Sequence, residues 1–372
     1  MSQQTRQHLG INPVLLNLVT GQDLSEIPSN PPVSMLPGNY SRAVVDGICK
    51  ISPLFPENKH RLTCTKCGHT DKYDLGSVLI NGDTLKGALE KDKGSTAVEP
   101  EAATWFKHIQ ATGYFRCVNC NSAGAWELPA RGNFGFTAGV MGAILLRGGN
   151  RTAAKFSIGV LQLADGSRHR WATDTEEYYL TKLAKHPEDA FLWNRLGNSY
   201  HKGGRPDLAA VAFEQSLKVD PEQLESHYTL GNILLELGLE REALSHLRQV
   251  LIVARKYKQV TASYLRDLLA ETLYHLVLLA RDGEQFLSFL PMGHELFPGE
   301  SLPSGTTIMF TDISVDSSDP SSLLPLAEQY MGERRRELKS PTLKLPDAAT
   351  LKKLTGSVSR PGTKKSKKKN RR

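Results

Sequence analysis

The amino-acid sequence predicts an α+β protein with a β-rich N-terminal domain, then an α-helical repeat array, then a disordered basic tail. Residues 41–172 contain short apolar runs with β-branched residues and turn glycines, which are typical of strands. Residues 173–295 show helical periodicity and repeat themselves at an offset of 34 residues, which is typical of a helix-turn-helix array. Residues 341–372 are rich in proline, serine, threonine and lysine, so we expect them to be disordered.

The composition favours a chain that folds in water. Hydrophobic residues make up 40% and charged residues 23% of the 372 residues, and this length is enough for two or three domains with cores. The longest nearly apolar run, residues 134–146, is shorter than the roughly 20 residues of a membrane-spanning helix. The N-terminus lacks the pattern of a secretory signal, so we expect a cytoplasmic protein without a transmembrane segment.

The first half of the chain is expected to be extended and then strand-rich. Residues 1–40 contain one apolar stretch and a run of proline, serine and asparagine, which predict an extended segment with little structure of its own. The polar residues 83–104 predict a surface excursion. We predict a turn at residues 148–150 and strands at residues 43–51, 77–80, 114–116, 143–146 and 156–163.

Two cysteine pairs form the strongest chemical motif, and their members are Cys64, Cys67, Cys117 and Cys120. A spacing of two residues lets both thiolates of a pair turn towards one tetrahedral zinc ion. The pairs resemble the zinc-ribbon family, in which two hairpins share one zinc ion through four cysteines. The resemblance covers about residues 61–128 and implies one structural Zn²⁺ per chain in a coordinatively closed site. The stretch between the two pairs is longer than in a compact ribbon.

Other interpretations of the cysteines remain open. A redox dithiol pair would be expected beside a βαβ pattern, which is not evident, and unliganded thiols are a further alternative. His69 could replace one cysteine as a ligand. The fifth cysteine, Cys49, is expected to be a buried apolar residue because Val44, Val45 and Ile48 surround it.

The helical region contains two clear repeats, residues 190–223 and 224–257. The second keeps Leu230, Gly231 and Ala243 at the offset positions. The first has the spacing W-x2-LG-x2-Y, then A, F and P, formed by Trp193, Leu196, Gly197, Tyr200, Ala209, Phe213 and Pro221. These residues resemble the tetratricopeptide repeat family. Because two repeats are few for a stable stack, we predict flanking helices at residues 175–187, 260–280 and 284–290.

The resemblance to tetratricopeptide repeats implies a concave groove, lined by the first helix of each repeat, that binds a peptide or helix of a partner protein. The candidate peptide-binding residues are Asn194, Asn198, His201 and Asn232. An amide side chain suits this role because it supplies both a donor and an acceptor. For the asparagines that follow Leu-Gly, Asn198 and Asn232, hydrogen bonding between helices is the alternative.

The C-terminal part combines a short structured region with a basic end. Residues 296–340 predict a strand at 306–315 and a helix at 321–339, and the arginines Arg334, Arg335 and Arg336 are expected on its solvated face. Basic residues exceed acidic ones by 7, and the last nine residues account for this excess. The candidate polyanion-binding residues are Lys364, Lys365, Lys367, Lys368, Lys369, Arg371 and Arg372, and the alternative is a solvated tail without a specific role.

The motifs favour a non-catalytic protein. The sequence contains no phosphate-binding GxxxxGK[ST], no GxSxG and no HExxH motif. We therefore predict a protein-protein interaction adaptor that uses the repeat groove and a structural zinc site. The alternative is a nucleic-acid-associated factor in which the zinc ribbon and tail bind RNA or DNA and the repeats recruit a protein. A third hypothesis is an enzyme with a site within residues 134–171.

Overall fold

The computed structural model describes residues 10–82, 105–129, 133–145, 155–299, 315–316 and 319–342. They belong to two compact units, one that ends at Val250 and one that begins at Leu251. None of the described helices is both long and apolar enough to cross a membrane. Helices are numbered α1–α12 and strands β1–β6 in chain order.

The described strands of the first unit form two small sheets. They are β1 (Lys59–Cys64), β2 (Thr70–Asp74), β3 (Val78–Ile80), β4 (Ile109–Ala111), β5 (Trp126–Glu127) and β6 (Phe156–Ile158). The first sheet has the order β2-β1-β5 and is antiparallel. The second has the order β4-β3-β6, with β4 antiparallel and β6 parallel to β3. One aromatic-rich core contains side chains from both sheets.

The strand predictions are confirmed in part. The prediction at 77–80 agrees with β3, and β6 forms the beginning of the predicted strand 156–163. Residues 114–116 form no strand, and the neighbouring residues of β4 pair instead. The turn predicted at 148–150 and the excursion at 83–104 lie outside the described residues.

Two predicted strands are helices. Residues 43–51 fall on α2 (Ser41–Gly47) and the 3-10 helix Ile48–Lys50, and the described part of 143–146 falls in α3 (Phe134–Leu145). In α3 the buried residues Phe136 and Val140 are four residues apart, so one helical face packs inward. Because this segment is apolar and contains several glycines, its sequence pattern alone does not distinguish a strand from a buried helix.

The N-terminal segment is more ordered than predicted. Residues 13–20 form α1 (Pro13–Thr20), which begins at Asn12, whose side chain accepts a hydrogen bond from the N–H of Val14. The helix ends at Gly21, which has a positive φ of 74° that suits glycine. Leu15 and Leu16 are fully buried, so this apolar stretch is part of the core and not a free connector.

The repeat helices of the first unit are α4 (Ala172–Leu183), α5 (Ala190–Lys202), α6 (Pro206–Val219), α7 (Leu224–Leu237) and α8 (Glu240–Val253). The first unit ends at Val250, so the last residues of α8 lie past its end. The helices α5 and α6 approach closely at Gly197, because a Cβ there would lie 2.5 Å from the ring of Phe213. Trp193 is fully buried and its Nε1 donates to the carbonyl of Pro187 at 2.9 Å.

The N-terminal segment packs on the repeat helices. Ile11, Leu15, Leu16 and Val44 share one hydrophobic core with residues of α4 to α8. The backbone N–H groups of Asn39 and Tyr40 both donate to the carboxylate of Glu214 on α6 at 2.7 Å. Every residue of α6 from Pro206 to Phe213 is buried. The first part of α6, from Pro206 to Phe213, is therefore enclosed, whereas Lys218 near the end of the helix is exposed.

The second unit contains the flanking helices predicted at 260–280 and 284–290, observed as α9 (Ala262–Leu279) and α10 (Gly283–Phe289). The short helix α11 (Gly293–Leu296) follows. The helix predicted at 321–339 is divided into the 3-10 helix Pro320–Leu323, α12 (Leu324–Tyr330) and the 3-10 helix Gly332–Glu337.

The arginine run of the second unit is only partly solvated. Arg334 is 8% exposed and donates to the carbonyls of Tyr257 and Val260, so its predicted place on a solvated face is wrong. Arg336 is exposed as predicted. The strand predicted at 306–315 lies almost wholly outside the described residues, and residues 343–372 lie outside them as well.

Candidate metal centre and repeat groove

The structure brings the four paired cysteines together. Their Sγ atoms all lie within 4.8 Å of one another. Cys64 Sγ lies 3.8 Å from Cys120 Sγ, and Cys67 Sγ lies 3.6 Å from Cys117 Sγ. Cys49 is exposed, so the expectation that it is buried is wrong, because the 3-10 turn after α2 directs it outward.

The two cysteine pairs have the same local backbone. In the first, the N–H of Cys64 donates to His69 O and that of Gly68 to Cys64 O; in the second, Cys117 N–H donates to Ser122 O and Asn121 N–H to Cys117 O. The residue after each pair, Gly68 or Asn121, has a positive φ of 71° or 54°. Glycine and asparagine are the residues that adopt this conformation at least cost. Each motif therefore folds as a knuckle that turns both sulfur atoms to one side.

Backbone amides point at the buried sulfur of each knuckle. The N–H groups of Lys66 and Cys67 approach Cys64 Sγ, and those of Asn119 and Cys120 approach Cys117 Sγ. Hydrogen bonds of this kind favour a thiolate. The hydroxyl of Ser122 adds contacts of 3.2 Å to Cys64 Sγ and 3.1 Å to Cys120 Sγ.

The cluster suits a thiophilic cation. Burial raises the pKa of the Cys117 thiol to about 12. Burial acts in the same direction on Cys120, but hydrogen bonds from Ser122 outweigh it and bring that pKa to about 6. Four thiolates this close repel one another unless a cation lies among them, and four sulfur donors are a common ligand set for structural zinc. His69 is not among the clustered ligand atoms and contributes its backbone carbonyl instead.

The sheet fixes the knuckles relative to each other. The first knuckle joins β1 to β2 and forms the tip of their hairpin. The second is not the tip of a separate hairpin, because its returning strand β5 pairs with β1, with Trp126 opposite Cys64. The rings of Tyr73, Phe115 and Trp126 pack together with centroids 4.7–5.2 Å apart in the same core.

A buried ionic network connects the second knuckle to the repeat helices. Arg116 precedes Cys117 and places its Nη2 2.7 Å from Glu176 on α4. The other Arg116 nitrogens donate to Tyr114 Oη at 2.9 Å and to the carbonyl of Asn121 at 3.0 Å. The hydroxyl of Tyr200 on α5 donates to the same Glu176 at 2.7 Å.

The sequence did not reveal this network. Arg116 and Glu176 are 60 residues apart, and neither lies in a recognisable motif. The one available signal was the position of Arg116 next to Cys117, a member of the cysteine cluster. A second buried pair, Arg205 and Asp207, lies beside it, and Arg205 donates to the carbonyl of Gly10 at 3.0 Å.

The candidate groove residues do not all face the groove. Asn194 is fully buried, and its amide donates to Ser226 Oγ on α7 at 2.9 Å, so it bonds between helices and is not available to a peptide. Asn198 is partly exposed and donates to Asn194 Oδ1 at 3.1 Å. Asn232 is partly exposed, and its Oδ1 has no hydrogen-bond partner within the part of the chain that the structure describes.

His201 lies at the end of α5, about one helical turn after Asn198. It also lines a cavity beside the knuckles. Burial, together with the neighbouring charge of Lys202, lowers its pKa to about 4, so the ring is neutral at physiological pH.

Further partly exposed side chains on α5 and α7 are candidates for the predicted groove. Phe191 and Tyr228 are partly exposed. The guanidinium of Arg195 lies 4.5 Å from the centroid of the Phe191 ring and pairs with Glu225 on α7. Each of the helices α5 and α7 thus has a partly exposed aromatic residue and a partly exposed asparagine.

Comparison with known proteins supports the repeat. Residues 190–223 match the tetratricopeptide repeat family. A peroxisomal targeting signal receptor from Candida albicans is 34% identical over 73 residues, which are 20% of this chain and 12% of that receptor. The receptor from Eremothecium gossypii is 32% identical over 73 residues, 20% of this chain and 13% of the receptor. Superkiller protein 3 from Schizosaccharomyces pombe is 29% identical over 123 residues, 33% of this chain and 8% of that protein. The chain therefore spans only a small part of the length of these relatives, and the likeness supports a helical repeat of this type.

Proposed function

We propose that this protein is a non-catalytic adaptor that binds a peptide or helix of a partner protein in the groove of its tetratricopeptide-type repeats. The match of residues 190–223 to that family carries the proposal. Partly exposed Phe191 and Asn198 on α5, and Tyr228 and Asn232 on α7, supply apolar and amide contacts. The relatives named as receptors for a targeting signal add support for recognition of a peptide signal.

The adaptor has a structural zinc ion in the four-cysteine cluster. Four sulfur ligands leave no open position for water, so the ion folds the domain and carries out no reaction. Binding energy of such an ion contributes directly to folding. The β-rich region 41–172 then serves as a scaffold for the repeat helices α4 to α7 of the same unit.

The buried network explains how the metal centre supports the groove. Arg116 and Asn121 flank the second cysteine pair, and Arg116 bonds to both Asn121 O and Glu176. Glu176 in turn accepts from Tyr200 on the groove helix α5. An ordered knuckle therefore positions the first groove helix through two buried hydrogen-bonded steps.

The groove is tested with a photocrosslinker at residue 228 and, as a control, at residue 215, which is partly exposed on α6. A partner captured only at 228 is purified, and its affinity is measured by titration. We expect the double variant Asn198→Ala and Asn232→Ala to bind at least about tenfold more weakly, the effect of losing hydrogen bonds of about 1 kcal/mol each. Unchanged affinity with an intact fold would contradict the groove proposal.

The zinc ion is tested on protein purified without added metal. We expect one zinc per chain, lost in Cys64→Ser and in Cys117→Ser together with folding of the N-terminal half. The control is Cys49→Ser, an exposed cysteine outside the cluster, which should keep its zinc. Fully reduced, folded protein without zinc would remove the structural metal from the proposal.

A further inference from the structure

The helix α3 is apolar on two opposite faces. Its inner face packs into the aromatic core through Phe136 and Val140, which are both fully buried. Phe134, Ala138 and Met141 follow one another at helical spacing on the opposite side, and all three are exposed. Phe134 is 84% exposed and Met141 is 38% exposed. Contact of these two large apolar side chains with water is unfavourable, so a partner that removed them from water would be stabilised.

The exposed apolar surface continues on the neighbouring strand β6. Gly139 of α3 lets the helix lie against the ring of Phe156, since a Cβ at this glycine would approach the ring to 2.4 Å. Ile158 is on the same side of β6 as Phe156, because side chains alternate along a strand. Both Ile158 and Val160, which follows the strand, are exposed. β6 forms one edge of its sheet, so the helix and the strand present apolar side chains at one border of the β-rich region.

Basic residues surround this apolar surface in the sequence. Residues 128–164 contain Arg131, Arg147, Arg151 and Lys155 and neither aspartate nor glutamate. Arg131 comes three residues before α3 and Arg147 two residues after it, so covalent geometry keeps both near the ends of the helix. The charge of the chain around the helix is therefore of one sign.

Three neighbouring acidic residues leave most of this positive charge in place. Asp165 pairs with a lysine of α4 at 2.9 Å. Glu57 pairs with Lys59, and this contact, together with the charge of Lys155, lowers the pKa of Glu57. These three groups thus retain one positive charge. Glu127 lies on β5, in the other sheet.

An apolar face between basic residues fits the surface of an anionic lipid bilayer, which offers hydrocarbon beneath a layer of negative charge. Protein interfaces usually add about one hydrogen bond per 100–200 Å² to their apolar contacts. The outer face of α3 has little to offer for such bonds, because the single polar side chain of the helix, Thr137, donates to the carbonyl of Asn133. The 12 residues of α3 span about 18 Å, which is too short for a hydrocarbon core of about 30 Å. A helix of this length lies along the membrane surface and does not cross it.

We propose that α3 binds the surface of an anionic membrane, with Phe134 and Met141 inserted among the lipids and the neighbouring basic residues against the headgroups. The contact is separate from the repeat groove and does not depend on it. It makes the protein a peripheral membrane protein, in which the groove is held at a membrane surface.

Insertion is tested by placing a tryptophan at residue 134 of the zinc-loaded, full-length protein. The variant is mixed with vesicles of equimolar phosphatidylcholine and phosphatidylserine that carry brominated acyl chains. Bromine quenches an indole only at short range, and the four native tryptophans are at most 5% exposed. We therefore expect quenching in Phe134→Trp and not in the wild type.

The matched control is Leu287→Trp on α10. Leu287 is 66% exposed, but residues 282–299 contain three acidic residues and neither lysine nor arginine. A tryptophan at this position should remain unquenched, because an exposed apolar side chain among acidic residues is repelled by the same vesicles.

Affinity is measured by sedimentation with vesicles of the same lipids without bromine. The double variant Phe134→Ser with Met141→Ser should bind at least about tenfold more weakly, since it removes two large apolar side chains from the contact. Both positions are exposed, so zinc content and melting temperature should stay those of the wild type. Binding of the wild type should weaken with added salt and with vesicles of phosphatidylcholine alone. Deletion of residues 364–372, with and without the two serines, separates the contribution of the basic tail.

Three outcomes would overturn the proposal. The first is an absence of vesicle binding, or binding without quenching of the tryptophan at residue 134. The second is binding that the two serines leave unchanged and the tail deletion abolishes, which would assign the lipid contact to the tail. The third is a dimer in solution that the serine variant dissociates, without vesicle binding, which would assign this face of α3 to a second copy of the chain.

Discussion

Replacing Arg116 by alanine is expected to lower the free energy of unfolding by about 3–5 kcal/mol, the usual cost of removing one partner from a buried ion pair. The side chains of Arg116 and Glu176 are only 4% and 1% exposed, and their atoms lie 2.7 Å apart. After the substitution, the buried carboxylate keeps only the hydroxyls of Tyr114 and Tyr200 from this network. The substitution removes the positive charge that compensates the buried Glu176 carboxylate.

The measurement is urea unfolding followed by tryptophan fluorescence, with zinc content determined on the same samples. Lys182→Ala is the matched control, because Lys182 lies on the same helix as Glu176 and pairs with Asp165 at 2.9 Å in a partly exposed position. We expect this control to change stability by less than about 1 kcal/mol.

A double variant separates charge from packing. Arg116→Met with Glu176→Leu removes both charges, so it should be more stable than Arg116→Ala alone, although two tyrosine hydroxyls lose their acceptor. The reasoning is refuted if Arg116→Ala costs less than about 1 kcal/mol. It is equally refuted if the double variant is as unstable as the single one.

Three further predictions address other parts of the molecule. Gly197→Val should destabilise the fold by about 1–3 kcal/mol in thermal unfolding, since its Cβ would press on the ring of Phe213, and an unchanged melting temperature would contradict the packing. Burial lowers the pKa of both His201 and His246 to about 4. The unfolded chain, with an ordinary histidine pKa of about 6.5, binds more protons, so stability should fall between pH 7 and pH 5 by about 2 kcal/mol per histidine. A flat stability profile over that interval, measured by urea unfolding, would count against burial of these rings. Deletion of residues 364–372 should leave groove binding intact and abolish any salt-sensitive binding of RNA, which filter binding at several salt concentrations measures. Salt-sensitive binding that survives the deletion would favour a nucleic-acid surface elsewhere.

The predictions that the structure confirms rest on patterns within short stretches of the sequence. The spacing of Trp193, Gly197 and Phe213 reports contacts within one helical hairpin, so a short stretch of sequence is sufficient to recognise it. The cysteine pairs are equally local, because each knuckle is closed by hydrogen bonds within six residues. We predicted that the two pairs meet in one cluster because they have the same spacing. The segment between the pairs contributed nothing to that prediction.

Features that depend on distant partners were missed. α1 and α2 are short, and what stabilises them is packing on helices more than a hundred residues further along the chain. Asn194 and Asn198 have equally polar side chains on one helix, and only the position of α7 decides that the first is buried. The charge of Arg116 gave no hint of burial, since arginines are usually exposed.

The enclosure of α6 decides how this repeat can be used. In a free-standing array the outer helix of each repeat faces water, and neighbouring modules can be added, removed or transplanted. In this protein the residues of α6 from Pro206 to Phe213 are buried, so that part of the helix is not available to a neighbouring module. A fragment cut to the repeats alone would expose a continuous apolar strip and be prone to self-association. The repeat is accordingly a fixed component of one folding unit that also contains the knuckles.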